Sequence, residues 1–492
     1  MRLVAVNRTL PKAIAWTGAA FTTFGLLAIW SACVGGCTPE GEQVTQAKPT
    51  RPTVEPASDL NVLLITSDAL RADRLGVYGH ERETSPALDA LAESGVLFEY
   101  AMAQRGETAP SLASLMTSQY PIEHGVRRNG DRFPFSPKSV MLVEHLKAHG
   151  YVTGAALGNC QPAGREFDEW FRHQGDDVSV TRSAIKWLNK NKDNRFFLWL
   201  HYFKPHYPFI PPPGYRKMFA DPEYKGTIAG DTKQLMSVML GLMPFSEEDR
   251  IHVGALYDGS VRFINDQVDR VLAEVEKLGL SKNTLIVFTA DHGEGLYDRQ
   301  NYFFHSASTH ECVLHIPLIF AGAGVQQKGV RVSDVVESID VAPTILEILG
   351  LPAPDSFSGT SLLPAFRGEK LELGPAFSEY LDLMLSIRTD THRFLWNPTD
   401  HIIKIVTPTQ RKRQGLPLDI EALYVVEQEE LFATPSDPKE RHNLIEEQPA
   451  LAEELRKKLL EWKEAHSWEI LGAIKQEIPE ETAKELEAMG YL

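Results

Sequence analysis

Asn61-Val-Leu-Leu-Ile-Thr66 runs through aliphatic and β-branched residues without interruption and stops at Ser67-Asp68. An unbroken apolar run of this length suits a strand covered on both faces, because neither face may then carry polar groups into a packed layer. Comparable runs recur at residues 151–157, 196–201, 285–290 and 316–321. Helical patterns lie between them. One runs from Ser85-Pro86 to Gly95, with a cap, a proline in the first turn and a terminal glycine; another is a long amphipathic series through Tyr257, Val261, Ile264, Val268, Val271, Val275 and Leu278. Strands alternating with helices predict an α/β fold, a largely parallel sheet with helices on both faces. After about residue 375 the strand-like pieces shorten, at 385–389, 393–396, 402–406 and 430–433, which predicts a small, more antiparallel α+β subdomain. Amphipathic helices near 450–466 and 480–489 finish the chain.

The composition is ordinarily globular, and 492 residues allow a sizeable core. A net charge of −16 argues against a nucleic-acid partner, since phosphate binding needs clustered Lys and Arg and no run is denser than Arg411-Lys412-Arg413. The four cysteines, Cys33, Cys37, Cys160 and Cys312, form no CxxC pair, so neither a disulfide framework nor a cysteine metal cluster is expected. Arg2, Arg8 and Lys12 precede an uncharged apolar stretch to Trp30, followed by Val34-Gly35-Gly36-Cys37. That is the layout of a secretory signal, and its end resembles a bacterial lipobox. It predicts removal of residues 1–36, anchoring to a membrane through lipidated Cys37, and a place in the periplasm or at the cell surface; an uncleaved membrane anchor is the alternative. Residues 37–60 read as a flexible linker, 61–375 as the main domain, 376–445 as the C-terminal subdomain and 446–492 as a helical tail.

In an open parallel sheet, ligands bind beyond the carboxyl ends of the strands. The first run leads into Asp68, the 196–201 run into Lys204-Pro205-His206, and the 285–290 run into Asp291-His292-Gly293-Glu294. Carboxylates and imidazoles gathered on one edge make an oxygen and nitrogen site for a divalent cation. Thr108-Ala109-Pro110-Ser111 opens a helical stretch to Thr117, and a hydroxyl at a helix N-terminus sits where backbone N–H groups and the dipole favour an anion. The combination predicts attack on an anionic ester.

On these residues the chain resembles the sulfatases of the alkaline phosphatase superfamily. The resemblance is carried by Asn61-Val-Leu-Leu-Ile-Thr-Ser-Asp-Ala-Leu-Arg-Ala-Asp73, Thr108-Ala-Pro-Ser-Leu-Ala-Ser-Leu-Met-Thr117, Lys204-Pro-His-Tyr-Pro208, Thr289-Ala-Asp-His-Gly-Glu294, Asp340-Val-Ala-Pro-Thr344 and Ser358-Gly-Thr-Ser-Leu-Leu363. It extends to Glu430-Leu-Phe and Asp437-Pro-Lys-Glu440. It implies an alkaline-phosphatase-like sheet and one divalent metal ion (Ca, Mg, Mn or Zn) held by Asp68, Asp291, His292 and the oxygen of Thr108. It further implies Thr108 as nucleophile, and His206 and His305 as residues that contact the transferred group.

The chain departs from the family pattern in four places. Thr108 and Leu112 stand where Cys or Ser and Arg are usual, Ala69 replaces a second Asp, and Gly158-Asn159-Cys160 replaces Gly-Lys-Trp. Formylglycine hydrate, made from that Cys or Ser, has two geminal hydroxyls, so one can expel sulfate bound to the other. Threonine has one hydroxyl, and a phospho-threonine is cleared by in-line attack at phosphorus. The reading is therefore a metal-dependent hydrolase or transferase of a phosphate or sulfate ester through a covalent Thr108 intermediate, with phosphorus favoured. The alternatives are a sulfuric ester hydrolase without formylglycine and a non-catalytic anion-binding lipoprotein. Individually, Asp68 and Asp291 also suit turn caps and Thr108 a helix cap.

Overall fold

The computed structural model describes residues 59–466 except 130–135, 160–165, 300–301, 382, 399–401, 405–407, 420–422 and 426. The signal segment with Cys37, the linker up to residue 58, Cys160 and the second C-terminal helix lie outside the described residues. The strands in chain order are β1 (Asn61–Ser67), β2 (Val96–Met102), β3 (Val152–Leu157), β4 (Glu169–Arg172), β5 (Phe196–Tyr202), β6 (Thr284–Ala290), β7 (Gly295–Leu296), β8 (Phe303–Phe304), β9 (His315–Gly322) and β10 (Val330–Glu337). The C-terminal region adds β11 (Ala376–Tyr380), β12 (Met384–Arg388), β13 (Arg393–Trp396), β14 (Ile402–Lys404), β15 (Leu423–Val425) and β16 (Glu429–Phe432).

Eight strands make one sheet in the order β10-β2-β9-β6-β1-β5-β3-β4. All seven residues of β1 are buried, as are those of β5 and β6 beside it, which is why these segments are apolar throughout. The α/β expectation holds, with one strand reversed: β9 runs antiparallel to β6 and β2, while the other pairings are parallel. β2, β4 and β10 are strands of this sheet beyond those expected from the sequence. β10 forms one edge, half exposed and carrying Arg331, Ser333 and Asp334, so it lacks the continuous apolar run that marks the centre.

Helix packing follows from small residues as well as apolar ones. A Cβ at Gly154 of β3 would lie 2.3 Å from the Trp187 ring of helix Asp177–Asn191, so only glycine lets that helix settle on the sheet. The long helix Glu247–Lys277 begins at Ser246, whose hydroxyl accepts from Asp249 N, and it buries the predicted series from Tyr257 to Val275.

β11, β12, β13 and β16 form a separate antiparallel sheet, as the shorter C-terminal pieces predict. Helix Pro449–Ala465 covers it through Leu455, Leu459 and Trp462, and the Trp462 ring lies flat on Phe377 at 4.9 Å. The two sheets meet at the end of β10. There Glu337 accepts from Phe377 N (2.9 Å), Tyr120 Oη (2.8 Å) and Gln104 Nε2 (3.2 Å), and its own N–H donates to Asp340 (2.8 Å).

Burial raises the Glu337 carboxyl to about 8, with the Asp340 charge adding to it, and burial raises Asp340 to about 7. Folded-state values above the unfolded ones mean that this contribution is complete below the unfolded carboxylate range and is lost as pH rises through the folded values. Melting temperature should therefore fall by a few degrees between pH 6 and pH 9, and Glu337→Gln should flatten that slope; thermal melts across the series check it, and parallel curves for the two proteins would contradict it.

Candidate active site

β1 and β6 are parallel neighbours with Ser67 opposite Ala290, so the next residues, Asp68 and Asp291, emerge side by side at the carboxyl edge. Both are buried, and His292 follows directly. Asp68, Asp291 and His292 each offer a ligand atom within 4.8 Å of the others. Hydrogen bonds elsewhere on each group decide which atom faces inward. Asp68 Oδ2 accepts from Asn159 Nδ2 (2.5 Å), and Asp291 Oδ1 accepts from Ala69 N (3.0 Å) and His292 N (2.8 Å). Asp68 Oδ1 and Asp291 Oδ2 are left buried with no hydrogen-bond partner. His292 Nδ1 donates to Gly293 O (2.9 Å), so in the neutral ring Nε2 carries the lone pair; it lies 3.7 Å from Asp68 Oδ1 and 3.5 Å from Asp291 Oδ2.

Two unpartnered carboxylate oxygens and an imidazole lone pair converge on one buried point. Burial, and then the neighbouring Asp291 charge, push the Asp68 carboxyl well above the usual carboxylate range. This donor set fits a divalent cation, which would satisfy both orphaned oxygens and offset the repulsion.

Thr108 is the first residue of helix Thr108–Thr117, with Glu107 in the N-cap position, and its Oγ1 lies 3.5 Å from His292 Nε2. The helix N-terminus is more fully engaged than the sequence reading expects. Ala109 N donates to Asn129 Oδ1 (2.8 Å), and Pro110 has no N–H, so neither amide is open to an anion.

His305 packs against His292, with ring centroids 4.2 Å apart, and His206 is 4.9 Å from His305. The structure thus brings together all six residues singled out from the sequence. His206 Nδ1 donates to Tyr207 O, and its ring stacks on Tyr207. Burial drives His206 down to about 3; burial, with His292 and His206 nearby, drives His305 well below the usual imidazole range. Both are neutral near pH 7. Glu294 holds His305 Nδ1 at 3.0 Å and accepts from Tyr207 N (3.3 Å), while burial raises its carboxyl strongly.

Asn159, His201 and Asn129 have no role in the sequence reading. Asn159 stands where the family pattern has lysine and instead braces Asp68. His201, buried at the end of β5, places Nε2 3.9 Å from Asp68 Oδ2 and holds Thr66 Oγ1 at 2.8 Å through Nδ1. The only sequence signal for His201 is a histidine closing an otherwise apolar strand. Ala69, at the second Asp position, adopts φ +60°, secured by its N–H on Asp291 and its carbonyl accepting from Tyr257 Oη (2.6 Å). That conformation is costly for a residue with a Cβ, and these two bonds hold it.

The Sulfatase family model matches residues 60–351, and the N-sulphoglucosamine sulphohydrolase C-terminal model matches residues 295–465. An ulvan-active sulfatase of Formosa agariphila is 25% identical over 463 residues, covering 86% of this chain and 85% of its own length. Among solved structures, a protein in complex with its substrate D-glucosamine-2-N,6-O-disulfate superposes with a TM-score of 0.67 at 19% identity, over 83% of this chain and 98% of that one. The phosphonate monoester hydrolase of Agrobacterium radiobacter does so at 0.64 and 20% identity, over 85% and 100%. The first of these family models spans more than half of the sequence, and the chain belongs to the sulfatase family.

Proposed function

We propose that the protein cleaves or transfers a phosphate or sulfate ester through a covalent ester on Thr108, with phosphorus substrates turned over faster. The observation that carries this reading is the Thr108 hydroxyl facing His292 Nε2 at 3.5 Å, beside the orphaned oxygens of Asp68 and Asp291. A divalent ion held by Asp68, Asp291, His292 and Thr108 Oγ1 would lower the hydroxyl's pKa and offset charge on the substrate. Thr108 Oγ1 attacks in line; its bond to phosphorus forms as the bond to the leaving oxygen breaks, and the proton given up by the Thr108 hydroxyl ends on the leaving oxygen. Water or another acceptor then attacks phosphorus, the bond to Oγ1 breaks, and the acceptor's proton restores the hydroxyl.

The neutral imidazoles shape these steps. Because His206 donates from Nδ1 to Tyr207 O, its neutral ring turns Nε2 outward as a hydrogen-bond acceptor, which suits orienting the incoming nucleophile rather than holding its proton, since burial makes the ring a weak base. His305, oriented by Glu294, packs against both His206 and His292 and would contact the transferred group. The single hydroxyl of Thr108 favours phosphorus, since sulfate cannot be expelled by a geminal partner. A sulfate-ester hydrolase acting by direct attack at sulfur is the second reading, supported by the ulvan-active sulfatase relative. In both, the mature protein acts outside the cytoplasm as a lipoprotein tethered through Cys37.

Asp291→Asn should lower metal content and activity together, and Asn159→Ala should weaken metal affinity by about 10- to 100-fold through loss of the brace on Asp68; elemental analysis and metal titration measure both. Quenched turnover of aryl phosphate mono- and diesters and an aryl sulfate, followed by peptide mass spectrometry, should find the transferred group on Thr108, and Thr108→Ala should lose nearly all activity in a folded protein. An active Thr108→Ala variant, or an aryl sulfate hydrolysed faster than every phosphate ester, would refute the mechanism.

A further inference from the structure

The loop that carries Thr108 is braced from a part of the chain far away in sequence. Glu379 lies in β11 of the C-terminal sheet, is 1% exposed, and divides its two oxygens between two arginines. Oε1 accepts from Arg105 Nη1 (2.9 Å) and Oε2 from Arg127 Nη2 (2.8 Å), while its backbone N–H donates to Gln104 O (3.0 Å). Arg105 and Arg127 belong to the segments on either side of helix Thr108–Thr117.

On the first side, Arg105 is fully buried over the Tyr380 ring at 4.7 Å. Its Nε and Nη2 hold Glu107 Oε2 at 2.9 and 2.7 Å, which fixes the residue immediately before Thr108. Its carbonyl accepts from Ser111 Oγ inside the first turn (2.5 Å). Between the two, Gly106 presses against the His305 segment so closely that a Cβ would lie 2.7 Å from His305 O. On the second side, Arg127 O accepts from Arg105 Nη2 (2.6 Å), and two residues on, Asn129 Oδ1 holds Ala109 N at 2.8 Å, the residue immediately after Thr108. Thr108 is thus gripped at both neighbours by segments that converge on one carboxylate.

We propose that Glu379 is a positioning residue for the reaction: the C-terminal subdomain, through this one side chain, sets the direction in which Thr108 Oγ1 faces His292. The inference rests on the reading of Thr108 as nucleophile. Positioning of a nucleophile acts on the chemical step, because a group displaced by a fraction of its reach no longer starts in line, whereas substrate capture by the other residues of the site continues.

The test uses the full mature protein and whichever aryl ester the wild type turns over. Glu379→Gln should lower kcat by about 100-fold with KM and metal content unchanged, and Glu379→Asp, which keeps the charge at shorter reach, should recover part of the loss. Leu455→Ala, in the helix that covers the C-terminal sheet, should lower melting temperature while leaving kcat at wild-type level below its transition. Should Glu379→Gln fail to fold, Asn129→Ala tests the other end of the brace without removing a buried charge, and it should also lower kcat at unchanged KM. The proposal is overturned if a folded Glu379→Gln, or failing that Asn129→Ala, keeps kcat within about two-fold of wild type. It is also overturned if Leu455→Ala loses kcat to the same extent. Thr108→Ala separates the two claims: retained activity there defeats the nucleophile reading, whereas an inactive Thr108→Ala beside a fully active Glu379→Gln defeats only the brace.

Discussion

Two carboxylates held side by side in a buried place are what the rest of this structure is arranged around. Asp68 and Asp291 leave adjacent parallel strands in register, so the sheet itself imposes their closeness. In a low-dielectric surrounding their repulsion is costly, and the unpartnered oxygens show that the protein does not satisfy it internally. The groups that do bond them, Asn159, Ala69 N and His292 N, take the outward oxygens and turn the other two inward. A divalent cation held between those oxygens would offset the repulsion.

The sheet can impose that closeness because its centre is apolar on both faces. β1, β5 and β6 are wholly buried, so a slip of register would carry Asp68 or Asp291 into the core without partners. The side chains of the candidate site sit on the loops just beyond, where polar backbone groups can be reached by side-chain donors. Neutral His206 and His305 follow from the same burial. An imidazolium there would lie beside His292 and far from water, so the site offers acceptor nitrogens rather than fixed positive charge.

The C-terminal sheet is more than a cover. Its contacts reach the segments that flank helix Thr108–Thr117, through Glu379 to Arg105 and Arg127, and the loop after β8, through Arg393 to Glu311 (2.6 Å) and Glu430 to His310 (2.9 Å). Buried ion pairs of this kind are weak sources of net stability, because desolvation offsets their attraction, but breaking one leaves a charge stranded. They therefore define geometry more than they add to stability, which suits segments that fix the place of the Thr108 hydroxyl.

Much of this was legible in the sequence. Continuous apolar runs marked the central strands, the 257–278 spacing marked the long helix, and the residues following the strands marked Asp68, His206, Asp291 and His292, because a buried strand's end is where polar side chains first become affordable. The helix start at Pro110 marked Thr108, and the family pattern gave it the role of nucleophile, added His305 and exposed the changes at Ala69, Leu112 and Asn159. Strand direction was not legible, since β9 has the same composition whether it runs up or down, nor were the half-exposed edges β4 and β10. The partners of the departures were also out of reach. That Asn159 would brace Asp68 across 91 residues, or that Glu379 would hold Arg105 across 274, depends on which loops the sheet order brings together. Local sequence decides which residues must be covered and which must meet water; pairings between distant polar groups are decided only when the whole chain closes, because a hydrogen bond depends on where its two ends arrive in space.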